Sequence, residues 1–220
     1  MYGELSDKIL MPCLDNKPGV IPFPFFGYPG YVGKVPKKQG LLYVGNNWGR
    51  WDEFKSILDS LSDLTIQRMN GIQVRGKWWD GSANNNWRTY SNPEYLKSKG
   101  VTIGPQVPFK EIIQGLSEGE FSPVLVRPIL SKQRLFTPRM YETVGADTFP
   151  LFFNSFPYCT EVYGEEAALF KADDTNINDL FENIRTKPGE YLQAIIAIRE
   201  NMNKKHNYIR RLEDLIYISS

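Results

Sequence analysis

Arg139 and Glu142 are the residues whose types and spacing best suit binding chemistry in this chain. They are three residues apart, so they share one face if the segment is a helix. Thr137 is a good N-cap and Pro138 suits the first helical position, which predicts that a helix begins here. The free N–H groups and the dipole of a helix N-terminus favour negative charge. An arginine at that end and a carboxylate one turn further in suit a phosphate next to a sugar diol, which indicates a nucleotide or a nucleotide-sugar.

A glycine-containing turn at 44–50 is the second candidate. It follows a short apolar run that predicts a strand, and it precedes a helical pattern. Ligands of open α/β sheets bind beyond the carboxyl ends of the strands. Gly45, followed by Asn46, lets the backbone approach a phosphate, and Arg50 could neutralise that phosphate. The three-glycine dinucleotide fingerprint is absent, and a simple turn is the alternative interpretation.

Gly76 and Lys77 follow a second predicted strand, which ends at Val74. A strand that runs into a glycine, a cation and aromatic side chains could contact a diphosphate and stack on a ring. The alternative is that Trp78 and Trp79 cover the edge of the sheet.

The segment 101–108 predicts a strand, a turn and the start of a helix, with Gly104 and Val107 in the turn. Backbone groups would read a nucleobase there, so the side chains carry little information. An ordinary turn between a strand and a helix is the alternative.

Other residues that could bind metals or act as catalysts are interpreted as structural. Asp173 and Asp174 precede a predicted helix, where acidic caps are expected. His206, the single histidine, lies on an amphipathic helix and is predicted to be a surface or packing residue, not a general base. Cys13 and Cys159 lack metal-ligand spacing and are too few for a disulfide scaffold. The motifs of serine hydrolases, P-loop proteins and zinc proteases are missing, which excludes those classes. One histidine and two cysteines argue against a zinc site, and neither a metal nor a cofactor is expected.

The composition is typical of a soluble, cytoplasmic protein. A length of 220 residues suits one well-buried domain, or at most two small ones. The net charge of +1 and the pI near 7.7 give no electrostatic reason to expect nucleic acid or a membrane surface as a partner. No apolar run reaches the roughly 18 residues of a membrane span. The first residues also lack the basic start and apolar core of a signal peptide.

The elements that position these residues alternate between short strands and helices. Strands separated by helices of this size imply right-handed crossovers and a parallel sheet. The predicted fold class is α/β, a single Rossmann-like domain over 40–220 with a parallel sheet flanked by helices. A Pro/Gly-rich extended arm occupies 1–39, and the C-terminal tail forms one or two amphipathic helices. Strands are predicted at 41–44, within 64–75, at 101–103, 123–126, 149–153 and 167–170, with an irregular loop at 76–92.

The segment 137–152 resembles the helix–strand segment of two-domain (GT-B) glycosyltransferases of the group 1 type, in the branch that includes spore-maturation-type proteins. In that family an Arg-x-x-Glu helix and a glycine precede a strand that contains Pro-Leu, here Pro150 and Leu151. The order of three other segments also resembles the C-terminal, donor-binding domain of the family: the turn 44–50, the Gly-x-x-Trp sequence 76–79 and the segment 101–108.

The resemblance implies a role for each candidate residue. Glu142 would bind the ribose hydroxyls, and Arg139 would face phosphate together with the helix N–H groups. Arg50 or Lys77 would stabilise the charge on the leaving diphosphate, which makes a metal unnecessary. Many relatives carry a second glutamate at the position of Arg134. This chain lacks that glutamate, so the resemblance does not provide the family's usual contact to the donor sugar. The implied nucleotide-sugar-binding residues are Gly45, Asn46, Gly76, Gly104, Val107, Thr137, Arg139 and Glu142.

The resemblance implies a hexosyltransferase-like glycosyltransferase that uses a nucleotide-diphosphate sugar, with this chain as the donor-binding half. Family members have a preceding acceptor-binding domain, so a separate acceptor-binding domain or subunit is an expected partner. One alternative is a non-catalytic nucleotide-sugar-binding or interaction subunit, which the missing acceptor half and Arg134 favour. A Rossmann-like domain with an unrelated ligand is the third interpretation.

Overall fold

A parallel five-stranded sheet forms the centre of the region that the computed structural model describes, residues 9–219. Its strands are largely buried, and Leu41 to Val44 are buried without interruption. Because successive side chains point to opposite faces of a strand, such a run requires a packed layer on both faces. The strands are β1 (Ile9–Met11), β2 (Val20–Pro22), β3 (Gln39–Val44), β4 (Ile72–Arg75), β5 (Val101–Gly104), β6 (Gly119–Val124) and β7 (Phe149–Phe152), of which β3 to β7 form the sheet.

The order of the strands in the sheet is β5-β4-β3-β6-β7, with every neighbouring pair parallel. The chain therefore leaves β3 in one direction, through β4 and β5, and then returns to the other side of β3 to add β6 and β7. The connections that follow β3 and β6 diverge at this switch point. A crevice forms there at the carboxyl ends of the strands, where open α/β sheets bind ligands.

Helices cover the sheet, as the alternating pattern predicts, and two helices form the C-terminal tail. The α/β class with a parallel sheet flanked by helices is confirmed. The helices are α1 (Trp51–Ser60), α2 (Asp63–Arg68), α3 (Pro93–Ser98), α4 (Ile112–Ser117), α5 (Pro128–Lys132), α6 (Pro138–Gly145), α7 (Cys159–Tyr163), α8 (Ile177–Thr186), α9 (Pro188–His206) and α10 (Tyr208–Ser219), with 3₁₀ turns at Phe109–Glu111 and Glu165–Phe170.

The strand predicted at 167–170 is wrong, because this segment belongs to the 3₁₀ helix Glu165–Phe170. Gly164, with a φ of 103°, turns the chain immediately before it. Ala167 and Phe170 are both fully buried, and their spacing of three places them on the same side of a 3₁₀ turn. A short apolar run fits a buried helical turn as well as a strand, which explains the error.

The arm is tied to the domain along its described part, whereas residues 1–8 lie outside the described residues. Its strands β1 and β2 pair with each other in parallel. The backbone N–H of Tyr28 donates to the carbonyl of His206 at 2.6 Å. Asp147 accepts hydrogen bonds from the Tyr31 hydroxyl at 2.8 Å and from the Val35 N–H at 3.0 Å. These contacts hold the arm against the end of α9 and against the residues just before β7.

Candidate functional site

A cavity of about 340 Å³ lies at the switch point between β3 and β6. Four segments meet around it: the turn after β3, the start of α4, the connection after β6 and the first turns of α6. Six of the predicted site residues line it: Gly45, Asn46, Arg50, Thr137, Arg139 and Glu142. The structure thus brings together residues that are about 90 positions apart in the sequence.

Arg50 bridges the two sides of the switch point. Its Nε donates to the carbonyl of Leu125, just after β6, at 3.3 Å. Its Nη1 donates to the carbonyls of Asn46 at 3.2 Å and Trp48 at 3.4 Å. These neutral acceptors fix the direction of the guanidinium. Its charge also opposes the rise that burial causes in the pKa of Glu53, although Arg50 makes no ion pair within residues 9–219. An arginine held in this way is preorganised for an anionic ligand.

Two further arginines, which sequence reasoning missed, add to the positive charge beside Arg50. Arg127 lines the cavity and stacks over the ring of Trp48, with the guanidinium carbon 5.1 Å from the ring centre. Burial lowers the pKa of Arg127, and the charges of Arg50 and Arg88 lower it further. Within the described part of the chain these three guanidiniums make no ion pair. Clustered cations without carboxylate partners are a typical arrangement for binding phosphate.

Arg139 and Glu142 lie on one face of α6, as predicted, and both side chains are largely buried. Arg139 Nη1 lies 3.2 Å from Glu142 Oε2, in ion-pair contact, but it makes no well-directed hydrogen bond within residues 9–219. Burial raises the pKa of Glu142, and the charge of Arg139 opposes this rise only in part. Both groups therefore retain hydrogen-bonding capacity toward the cavity.

Thr137 occupies the N-cap position of α6 with an extended backbone, and Pro138 is the first helical residue. The expected side-chain cap is not formed, because the Thr137 hydroxyl accepts no hydrogen bond from the first turn of the helix. Thr137 and Pro138 line the cavity instead. The amino-terminal end of α6 therefore borders the same space as Arg139 and Arg50.

Gly76 and Lys77 do not line the cavity but support the turn that does. A Cβ atom at Gly76 would lie 2.2 Å from the carbonyl oxygen of Gly45, so only glycine allows this approach. The Lys77 N–H donates to Asn46 Oδ1 at 2.9 Å, and the Lys77 side chain is exposed. Next to them, the indole of Trp79 is fully buried and donates to the Gly45 carbonyl at 2.8 Å. Two roles were predicted for this segment, contact with a ligand and packing on the sheet. Trp79 packs on the sheet.

Gly104 and Val107 also lie outside the cavity lining. Gly104 packs against the side chain of Arg75, whose Cγ would be 3.1 Å from an added Cβ. Val107 packs against Gly115 and the small apolar cluster around Val44. The segment reaches the cavity two residues later, at Phe109, which is 79% exposed at its edge. Sequence reasoning gave no binding role to seven lining residues, whose only signal was a position in or near the predicted segments: Tyr43, Trp48, Phe109, Ile112, Arg127, Leu130 and Pro138.

The residues interpreted as structural lie away from this cavity. Asp173 Oδ1 accepts the N–H groups of Thr175 and Asn176 at the start of α8, as a helix-terminal acid should. His206 is buried against Phe136 and Tyr141. Burial, together with the charges of two neighbouring basic side chains, lowers the pKa of His206 to about 3.

The departure from the family pattern at Arg134 also has a structural explanation. Its guanidinium pairs with Asp15 of the arm at 2.7 Å and with Glu161 of α7. Arg134 therefore fastens the arm to the domain and does not line the cavity.

A larger cavity, of about 670 Å³, lies near the amino ends of β6 and β7, between the arm and α9. Two of its basic side chains are already engaged, although the Tyr28 hydroxyl that also lines it has no hydrogen-bond partner within residues 9–219. Arg199 donates to the carbonyls of Val144 and Ala146 at 2.9 and 2.8 Å, and Lys37 pairs with Asp147 at 2.8 Å. The smaller cavity is the better candidate because two of its arginines, Arg50 and Arg127, make no ion pair within residues 9–219 and because it lies at the carboxyl edge of the sheet.

No protein-family model and no curated protein sequence matches this chain. Solved structures do resemble it. BGT of phage T4, in complex with UDP and Mn²⁺, aligns with a TM-score of 0.60 and 15% identity over 91% of this chain and 54% of BGT. A mutant of TarM from S. aureus, in complex with fondaparinux, alpha-GlcNAc-glycerol and UDP, aligns with a TM-score of 0.65 and 10% identity over 97% and 44%. The GtfA/B complex aligns with a TM-score of 0.64 and 11% identity over 99% and 46%.

These likenesses show the fold. The chain has the Rossmann-like α/β fold found in GT-B glycosyltransferases, and it spans about half the length of the structures that it matches. No helix within residues 9–219 is long and apolar enough to cross a membrane. In the same residues, no group of three or more His, Cys, Asp or Glu side chains is placed to hold a metal ion. The general resemblance inferred from the sequence is thus confirmed at the level of fold.

Proposed function

We propose that this chain binds the nucleotide part of a nucleotide-diphosphate sugar in the 340 Å³ cavity and serves as the donor-binding half of a glycosyltransferase. One observation carries the proposal: unpaired arginines and a buried Arg–Glu pair share one cavity at the switch point of a parallel sheet. Cations suit the diphosphate, and a carboxylate suits the two ribose hydroxyls. The solved structures in complex with UDP support the same ligand class.

Different residues would bind the ribose and the diphosphate of the ligand. Glu142 accepts hydrogen bonds from the ribose hydroxyls, while Arg139 and the amino end of α6 face a phosphate. Arg50 and Arg127 hold the diphosphate. In the transfer step, the bond between the anomeric carbon and the diphosphate oxygen breaks, and its electron pair leaves with the diphosphate. The acceptor oxygen bonds to the anomeric carbon and gives its proton to a base. The two arginines stabilise the charge that develops on the leaving group.

A non-catalytic nucleotide-sugar-binding subunit is the second candidate function. Arg134, which stands where many relatives carry a second glutamate, does not line the cavity, and this favours the candidate. Both functions require the same nucleotide site, and turnover of a nucleotide-sugar separates them.

Calorimetric titration with uridine, UDP, GDP and UDP-glucose tests the site. Glu142→Ala should weaken the binding of both uridine and UDP by about 1–3 kcal/mol, because a charged hydrogen-bond acceptor is lost. Arg127→Ala should weaken the binding of UDP but leave uridine unchanged, because its partner is phosphate. Glu94→Ala, at an exposed position on α3, is the control and should change neither. Absence of binding by every nucleotide would refute the proposal.

A further inference from the structure

The connection between β4 and α3, residues 76–92, has a length that the nucleotide site does not explain; we call it the tryptophan loop. Loops between strands and helices usually have about 2–6 residues. Longer ones without regular secondary structure are commonly binding or active-site loops. The loop contains no helix or strand and lies against the turn that forms one wall of the nucleotide cavity.

Hydrogen bonds hold the tryptophan loop in one conformation. The fully buried Asn47 donates from Nδ2 to the carbonyls of Trp78 at 3.2 Å and Tyr90 at 2.7 Å. Asn84 and Ser91 bond each other in both directions, at 2.8 and 2.9 Å. A loop fixed in this way loses little entropy when a ligand binds.

Backbone strain marks the same loop. Trp78 has a φ of 68°, in the left-handed region that bulky residues rarely adopt. Such strain persists only where the surroundings enforce it, often at binding sites. The ring of Trp78 packs edge-on against the ring of Trp48, with 5.8 Å between the two ring centres. Trp48, in turn, lines the nucleotide cavity and carries the guanidinium of Arg127 on its ring. The loop and the cavity therefore share a wall.

The tryptophan loop presents aromatic rings and amides to solvent. Trp87 is 78% exposed, and Tyr90 and Trp48 are more than two-fifths exposed. Two consecutive amides, Asn85 and Asn86, are exposed beside Trp87. Aromatic faces that stack on the C–H faces of sugar rings, next to amides that bond hydroxyls, are the chemistry of saccharide recognition.

A nucleic acid fits this loop less well. The loop has few charges, with Lys77 and Arg88 partly offset by Asp80. Binding of a phosphate backbone relies on several cations along its path. The arginines beside the cavity are already assigned to the diphosphate. The balance of aromatic rings, amides and charge favours a saccharide.

We propose that the tryptophan loop and Trp48 form the acceptor subsite and that the acceptor is a saccharide chain, an inference that rests on the proposed transfer from a nucleotide-sugar. The subsite places the acceptor beside the diphosphate end of the donor cavity.

Titration with maltohexaose, with chitohexaose and with a single-stranded DNA 12-mer tests the subsite, and UDP is titrated in parallel. A hexasaccharide is expected to bind, and Trp87→Ala should weaken that binding about tenfold while the affinity for UDP stays unchanged. Trp87→Tyr keeps an aromatic face and should restore most of the binding. Glu142→Ala should give the reverse result, losing UDP and keeping the saccharide. Phe25→Ala, which removes an exposed aromatic ring on the arm, is the control and should affect neither ligand.

The other possible outcomes distinguish the acceptor subsite from the nucleotide site. If neither hexasaccharide binds, or if Trp87→Ala binds as tightly as the wild type, the acceptor subsite is refuted. Binding of the DNA that weakens steeply with salt would also refute it, because the occupant would then be a nucleic acid. If saccharide binding depends on Trp87 but no nucleotide binds, the subsite is supported and the donor function is refuted.

Discussion

Gly76→Ala tests the close approach of Gly76 to Gly45, which shapes the 340 Å³ cavity proposed to bind the nucleotide. A Cβ atom at this position would lie 2.2 Å from the Gly45 oxygen and 2.5 Å from its carbonyl carbon. Ordinary contacts are about 3.5–4.0 Å, so the Gly45 turn must move by roughly 1 Å or more. Such overpacking costs about 1–3 kcal/mol, and the φ of 155° adds backbone strain of a similar size. The expected loss of unfolding free energy is therefore about 2–6 kcal/mol.

Urea denaturation of Gly76→Ala and Gly100→Ala separates the two contributions. Gly100 has a φ of 72° but no atom within 4 Å of an added Cβ, so its replacement should cost only the backbone strain, about 1–2 kcal/mol. Because Gly45 lines the cavity, Gly76→Ala should also weaken UDP binding, whereas Gly100→Ala should not. Equal stability losses for the two variants, with unchanged UDP affinity, would show that the close approach to Gly45 constrains neither the fold nor the site.

Two further predictions concern pH. His206 stays neutral in the folded state down to about pH 3, whereas an unfolded histidine binds a proton near pH 6.5, so acidification favours the unfolded state. Between pH 7.5 and pH 5 this group should remove about 2 kcal/mol of unfolding free energy, and urea titrations of His206→Gln should lack that loss. The raised pKa of Glu142 means that its carboxylate is protonated at a higher pH than an ordinary glutamate. As the pH is lowered, the affinity for uridine, which carries no phosphate that titrates in this range, should therefore begin to fall above the usual glutamate range, and a Glu142→Gln variant should show no such fall.

Local patterns were enough to predict most of the sheet and part of the site. The buried runs that end at Val44 and begin at Phe149 identify strands because each face of a parallel sheet is covered. The helix from Pro138 was predictable from the proline and the residues that flank it, since these act on the backbone nearby. Arg139 and Glu142 followed from their spacing on that helix alone.

The remainder of the site depends on contacts between distant segments. Arg50 reaches the carbonyl of Leu125, 75 residues away, and this approach brings Arg127 to the cavity. Nothing in the residues around Arg127 indicates that partnership. Gly76 was predicted as a ligand contact because glycine lets a backbone approach a phosphate, but what approaches it here is another strand's turn. Sequence shows that a close approach is needed there, and only the fold shows which group approaches.

The pairing of β3 with β6 has a kinetic consequence. It joins Gln39 to Gly119 and Leu41 to Phe121, so a long stretch of chain must be closed into a loop before the two strands meet. Contacts of such high sequence separation slow folding, and the β6 side of β3 stays open to solvent until they form. The cavity proposed to bind the nucleotide straddles this pair, so the proposed function predicts that a refolding chain acquires affinity for UDP only after this pairing has formed. A nucleotide at 100 times its dissociation constant would then stabilise the folded domain by about 2.7 kcal/mol. The time course of recovered UDP binding would report when β3 and β6 pair during refolding.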